Sequence, residues 1–480
     1  MIGSLFEILP LAQQLPSWEG VAITLAMAGA GLCLVLRDHP RLSQLFAGAI
    51  WALLVLVVVL ALHGHLPAAS TPIASLDGDP HSMLVATGIS IIGAFAWLLG
   101  GCAAIDESRR KWLAPLTFTL AASAIGTITA SDLLVLAMWQ FALGANVIGL
   151  ALVIEGPGRS GELSSLLSIE AVCLICAAGA LAILGIGLPA DARSMGFVAM
   201  GLALLLILFA ARLVSLIVVL PLIARARGAA LTIEIAMIGL AIPAALHPFI
   251  ALAEALRTLL PTWFVLLLSI LASMLLIGGA GIAVGARTRG WRIASLAASL
   301  IGLGILGACE ASKTALLFIL LWLGPMPAFL AASSIAGRIE KERPSFASHA
   351  ERPHADAINI LLALACLAVI GLPPFAGFWA RLILVQAAWG SSDYAVIAVA
   401  LLSSLVLGLA LARRAFERQG QAAGSARRNR APEIALRELL VLGITSGLTL
   451  AGGLYPAPFI IISDASGGRN HIHSELTVHK

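Results

Sequence analysis

Charge is what this sequence has least of. Only 11% of its 480 residues are Asp, Glu, Lys or Arg, while 60% are hydrophobic; a soluble domain runs to about 25% charged. A water-soluble fold of this length has no way to hide so much apolar surface. That excludes a soluble enzyme, a nucleic-acid binder and a disordered scaffold, and the remaining solvent is lipid. Polar sequence is scarce too: the longest stretches are 63–82, 337–356, 413–434 and 464–480. None is long enough for a nucleotide, flavin or iron–sulfur domain. Cysteine is sparse, and its six copies all fall in apolar segments, so no disulfide framework is expected. Cys173 and Cys176 form a C-x-x-C inside a hydrophobic run and read as core packing. His63-Gly64-His65 and His471-Ile472-His473 read as solvated loop pairs, and no metal is expected on the chain. The start, MIGSLFEILP, has no basic stretch before an apolar one, so no cleavable signal is expected.

What the chain has is apolar length. A spanning helix needs about 20 mostly apolar residues, and fourteen segments qualify: 20–36, 45–62, 83–105, 113–130, 133–154, 164–187, 196–220, 229–252, 262–285, 291–308, 314–336, 357–379, 392–412 and 435–454. The runs are too long for barrel strands and lack period-two alternation. The reading is an all-α polytopic membrane protein. Its basic residues test the count independently. The loops after spans 1, 3, 5, 7, 9, 11 and 13, together with Arg292 and Arg437 at the span ends that border them, hold 22 of the 29 Lys and Arg, the opposite side holds 6, and Arg212 lies within a span. By the positive-inside rule the odd loops are cytoplasmic and both termini lie outside. The net charge of +4 therefore reports topology and does not call for a polyanionic partner.

Polar groups inside spans are costly and mark pathways or buried pairs. They are Gln140 in span 5, Glu170 in span 6, Arg212 in span 7, Glu234 and His247 in span 8, and Arg381 just past the double proline of span 12. Glu310 and Lys313 flank the junction of spans 10 and 11, at a spacing that lets them pair. Arg212 has two candidate partners, Glu170 and Glu234. His247, next to Pro248, reads either as a helix-packing group or as a proton carrier. Helix breakers give a second signal: Pro221 at the end of span 7, Pro243 and Pro248 in span 8, Pro325 and Pro327 in span 11, and Pro373-Pro374 followed by Gly377 in span 12. Broken helices at corresponding places in two halves point to an inverted repeat. The expected organisation is a three-helix segment at 1–112, a first five-helix unit at 113–252, a second at 262–412, and a last segment at 413–480 with spans 7 and 12 broken.

At Gly371-Leu372-Pro373-Pro374-Phe375-Ala376-Gly377-Phe378-Trp379-Ala380-Arg381 the chain resembles the G-[IL]-P-P-x-x-G-F-x-x-K segment of antiporter-like membrane subunits. These occur in respiratory complex I, energy-converting hydrogenases and multisubunit cation/proton antiporters. Leu76-Asp77-Gly78, Ser131-Asp132-Leu133-Leu134 leading to Trp139-Gln140, and Gly453-Leu454-Tyr455-Pro456 are similar to further family segments in the same order. Fourteen spans with both termini outside fit as well. The resemblance implies a bacterial inner-membrane subunit of an NADH/quinone or hydrogenase-type oxidoreductase complex. It implies no cofactor on this chain, with flavin, iron–sulfur or nickel–iron centres in hydrophilic partners and quinone at a neighbouring subunit.

The departures from the family carry as much information. Its mid-membrane proton axis uses a glutamate in span 5, a lysine in span 7, a lysine or histidine in span 8, and a lysine or glutamate in span 12. Here those places hold Gln140, Arg212, Pro243 with His247 one turn on, and Arg381. Glutamine cannot ionise, and arginine stays protonated in proteins. The family's G-P-T-P-V-S-A loop is replaced by Arg227-Gly228-Ala229-Ala230-Leu231-Thr232. Three roles follow: a non-pumping structural or coupling subunit, a rerouted path through Glu170, Glu234 and His247 gated by Arg381, or an independent cation/proton antiporter.

Overall fold

A computed structural model describes residues 18–62, 80–99, 107–130, 133–155, 160–185, 195–225, 236–251, 262–286, 288–310, 329, 352–422 and 436–455. All secondary structure among them is helical. The elements are α1 Trp18–Val35, α2 Pro40–Leu62, α3 Pro80–Leu99, α4 Glu107–Ile128, α5 Leu133–Glu155, α6 Ser160–Gly185 and α7 Met195–Arg225. A π-helical turn, Met237–Ala241, then leads into α8 Ile242–Ala251. They are followed by α9 Thr262–Gly285, α10 Arg289–Glu310, α11 Arg352–Ile370, α12 Ala376–Gly390, α13 Tyr394–Ala422 and α14 Leu436–Leu454. The first ten fall on spans 1 to 10. Span 12 is the broken pair α11 and α12, and α13 and α14 are the last two spans. Span 11, apart from residue 329, lies outside the described residues.

Helices α1, α2, α5, α7, α9 and α10 each contain a stretch long and apolar enough to cross a membrane, and shorter apolar helices supply the rest of the bundle. This is a multi-pass membrane protein. Its exposed surface agrees: Leu266, Leu267 and Met274 of α9 and Leu401, Leu405 and Leu409 of α13 face outward, where lipid meets them. All the exposed tryptophans and tyrosines among the described residues sit near helix ends. Trp112 and Trp291 lie at the starts of α4 and α10, and Trp263, Trp389, Tyr394 and Tyr455 lie at the opposite set of ends. Such belts form where an amphipathic ring meets the headgroup level. The alternation of ends is also internally consistent. Lys111 Nζ, entering α4, lies 2.6 Å from Asp38 Oδ1 after α1, and the contact holds that carboxyl below its ordinary range. On the other side, Ser391 Oγ after α12 lies 3.1 Å from Glu310 Oε2 at the end of α10.

Lipid tails are as apolar as the helices, so packing must come from close backbone approach and interhelical hydrogen bonds. The α9–α10 contact shows how. A methyl group at Gly302 would come within 2.6 Å of Leu276 N, and one at Gly279 within 2.6 Å of Ser295 O. That closeness lets Ser299 Oγ donate to Leu276 O at 2.9 Å. Within their crossing stretches α10 is 94% buried and α9 only 22%, so α10 is a central post and α9 a lipid-facing stave. Around the post stand α7, α8, α9, α12 and α13, with α4 and α5 beyond α8.

The prolines act in three ways. At Pro373-Pro374 the span is broken: α11 stops at Ile370, the Pro373–Pro374 peptide is cis, and α12 starts at Ala376. At Pro243 the helix is distorted. Ile242 N–H reaches back to Met237 O, closing the π turn immediately before the proline. At Pro221 the expected break does not occur, because α7 continues through a buried Pro221 to Arg225. One proline removes one hydrogen bond, a loss a packed membrane helix can absorb.

Candidate functional site

The central feature is a buried ion pair. Arg212, in the middle of α7, directs Nη1 to Glu170 Oε1 in the middle of α6, with the two side chains 1% and 12% exposed. Ser215, one residue short of a full turn along α7, holds its hydroxyl 3.2 Å from the same carboxylate oxygen and 3.0 Å from Arg212 O. The pair lies flat against α5 at Gly144, where any β-carbon would strike both Arg212 Nη1 and Glu170 Oε2. Glycine is required there by proximity. The partner question left open by the sequence is thus answered for the described residues: Arg212 pairs with Glu170. Glu234 lies outside them, as does Lys313. Beside the pair, an apolar crevice of about 290 Å³ is lined by Met138, Phe141, Cys173, Leu174, Leu208 and Arg212, among others.

Gln140 lies one turn before Gly144 on α5, fully buried. Its Nε2 donates to Ala244 O on α8 at 3.4 Å. The geometry follows from the sequence of α8. Residue 248 would normally donate its N–H to the carbonyl four residues back, but Pro248 has none, which leaves the carbonyl of Ala244 for a side chain. A glutamine can fill that role, whereas an ionised glutamate has no hydrogen to give. His247 is buried three residues after Ala244, near the same face of α8, and Leu246 meets Gly304 of α10 on another side.

Arg381 sits apart, at the break between α11 and α12. Helix α11 ends in a Schellman motif. Leu372 N donates to Leu367 O at 3.1 Å, Gly371 N lies 3.2 Å from Ala368 O, and Gly371 has φ +84°, the left-handed turn that glycine takes without strain. Arg381 then folds back from α12, and its Nη1 donates to Val369 O at 2.9 Å. A cation thereby caps the negative end of α11. Trp379 Nε1 donates to Gly453 O at 2.7 Å, and a side chain at Gly453 would strike Pro374 O, so α14 is pinned directly on the break.

The predicted polar residues thus divide into two groups. Gln140, Glu170, Arg212 and His247 gather on α5 to α8, and Arg381 belongs to the broken helix across the central post. The sequence reading missed the Ala244 carbonyl, although Pro248 signals it four residues ahead, and it missed Gly144 and the packing contact of Gly453, which only helix packing exposes. No group of three or more potential metal ligands occurs among the described residues; both His-x-His pairs lie outside them.

Residues 236–407 match the profile of the family described as NADH:quinone oxidoreductase/Mrp antiporter, TM. The chain is 32% identical over 153 residues to NADH-quinone oxidoreductase subunit N of a Caulobacter species, about 30% of either chain. It is 30% identical over 122 residues to subunit N 2 of Solidesulfovibrio magneticus, 24% of either chain. These matches span under a third of the relatives' length. The fold extends much further. A chain of the archaeal membrane-bound sulfane sulfur reductase superposes with TM-score 0.76 at 18% identity, covering 94% of this chain and 97% of that one. A chain of the Mrp complex of a Dietzia species gives 0.75 at 16%, covering 93% and 96%. A chain of respiratory complex I from Thermus thermophilus gives 0.68 at 18%, covering 93% and 98%.

Proposed function

We propose that this chain is an antiporter-like membrane subunit of a complex I-like or energy-converting hydrogenase-like oxidoreductase, with a structural or coupling role; the profile match over 236–407 and the shared fold support the reading. Its partners are then other membrane subunits and a hydrophilic arm. That arm carries flavin, iron–sulfur or nickel–iron centres, and quinone binds at a neighbouring subunit. In this reading the chain lies in the bacterial inner membrane with both termini outside, and 113–252 and 262–412 are two inverted five-helix units.

The observation that carries the structural role is the Arg212–Glu170 pair. A relay needs groups that gain and lose protons in turn. Protonating Glu170 would leave Arg212 as a lone buried charge, and breaking such a pair costs about 3–5 kcal/mol. Gln140 does not titrate at all, and Arg381 holds a helix end. Of the polar groups described in the row, only His247 is an imidazole, the side-chain type whose unperturbed charge change falls near neutral pH. Such a row fixes helices in place more readily than it conducts protons.

The assembly is tested by purifying the tagged chain in mild detergent, identifying its companions by mass spectrometry and recording a visible spectrum. Hydrophilic partners with flavin or iron–sulfur absorbance are expected. A colourless single chain that exchanges cations for protons in liposomes would overturn the reading in favour of an independent antiporter.

A further inference from the structure

Arg381 carries a charge that its described surroundings do not neutralise. The side chain is 6% exposed, Nη1 is used on Val369 O, and neither Nε nor Nη2 has a hydrogen-bond partner. A buried charge is tolerated when it is paired and hydrogen-bonded, and no described carboxylate is near. Along α12 the closest is Glu310, bonded to Ser391. Ser391 is ten residues on from Arg381, about 15 Å at 1.5 Å per residue. Asp393 lies beyond it and accepts from the amides of Ala395 and Val396 at the start of α13.

The helix ends make the electrostatics simple. The last turn of α11 presents roughly half a negative charge and the first turn of α12 roughly half a positive one. They meet at the break, where a β-carbon at Gly377 would strike Ala368 O. Their fields largely cancel, leaving the guanidinium as one net positive charge inside the protein. Donors are in surplus as well. Phe375 gives α12 no side-chain cap, and Phe378 N turns back to Phe375 O at 3.0 Å. The amides of Ala376 and Gly377, in the first turn of α12, and Nε and Nη2 of Arg381, five residues into the same helix, all lack a hydrogen-bond partner among the described residues.

We propose that the α11–α12 break is a binding site for one small monovalent anion of chloride size, held by Arg381 and the first amides of α12. One charge is what the site calls for, and a compact ion suits donors crowded between two helix ends. The anion would fix the broken helix in a single geometry and clamp α14 through the Trp379–Gly453 contact. The proposal does not depend on whether the chain serves an oxidoreductase or an independent antiporter.

The test uses the full chain, with whatever subunits accompany it, in sodium chloride, bromide or gluconate at one ionic strength. Scanning fluorimetry should show Tm rising and saturating with chloride and bromide but not with gluconate. Arg381→Gln should abolish the halide response and Arg381→Lys should weaken it. Diffraction at the bromine edge should place one anomalous peak within hydrogen-bond reach of the Arg381 guanidinium, which needs no variant to fold. Equal Tm in halide and gluconate overturns the proposal. So does a halide response that survives in Arg381→Gln, or a neighbouring subunit's carboxylate found on Arg381 instead of an ion.

Discussion

Arg212 and Glu170 meet in the middle of α7 and α6 with a glycine, Gly144, as the floor beneath them. The two helices pack along much of their length, so the pair is a bolt between crossing helices rather than a free step in a path. In lipid such a bolt is hard to replace piecemeal, since removing either partner strands the other.

Glu170→Gln should therefore destabilise the chain strongly, by about 3–5 kcal/mol from the stranded charge. The double change Glu170→Leu with Arg212→Leu should cost much less. The measurement is the thermal midpoint of the purified protein, with its steady-state level in membranes as a second readout. Equal destabilisation by the single and double variants would refute the bolt.

Gln140 and Pro248 should be energetically coupled. Gln140→Leu leaves Ala244 O buried and unpaired, at a cost of about 1–3 kcal/mol. Pro248→Ala returns a backbone N–H to that carbonyl, so Gln140→Leu should cost less in the Pro248→Ala background. A double-mutant cycle on Tm measures the coupling. Additive effects would show that the amide and the freed carbonyl do not interact.

The broken helix should be intolerant of β-carbons. Gly371→Ala must hold a left-handed backbone at φ +84° and crowd Arg381, and strain of this kind costs about 1–3 kcal/mol. Gly453→Ala pushes α14 off Pro374. Trp379→Phe should be milder, about 1 kcal/mol for one hydrogen bond. Protease accessibility of α14 should increase in the order Trp379→Phe, then Gly371→Ala and Gly453→Ala. The reverse order would sink the docking argument.

Legibility in the sequence followed the kind of signal available. Apolar length placed twelve of the fourteen described helices on spans of their own, since a membrane accepts few other structures. Pro373-Pro374 before Gly377 announced a true break, because two adjacent missing N–H groups cannot be bridged within one helix. Pro221 looked similar and was not, since a lone missing bond is absorbed by α7. The choice between Glu170 and Glu234 for Arg212 was closed to sequence reasoning, because it depends on how helices are rotated against each other. For the same reason Gly144 was invisible among 46 glycines, and Gly453, named only as part of a family segment, gave no sign of its contact; their roles exist only where distant segments meet.

The most direct test of the fixed-row account is proton translocation by the assembled complex in proteoliposomes, with His247→Ala compared with the wild type. His247 is the buried imidazole of the row, the side-chain type best suited to carrying a proton. The account predicts an unchanged ratio of protons moved to electrons transferred. Lost translocation with assembly and electron transfer intact would contradict it and make this chain a pump.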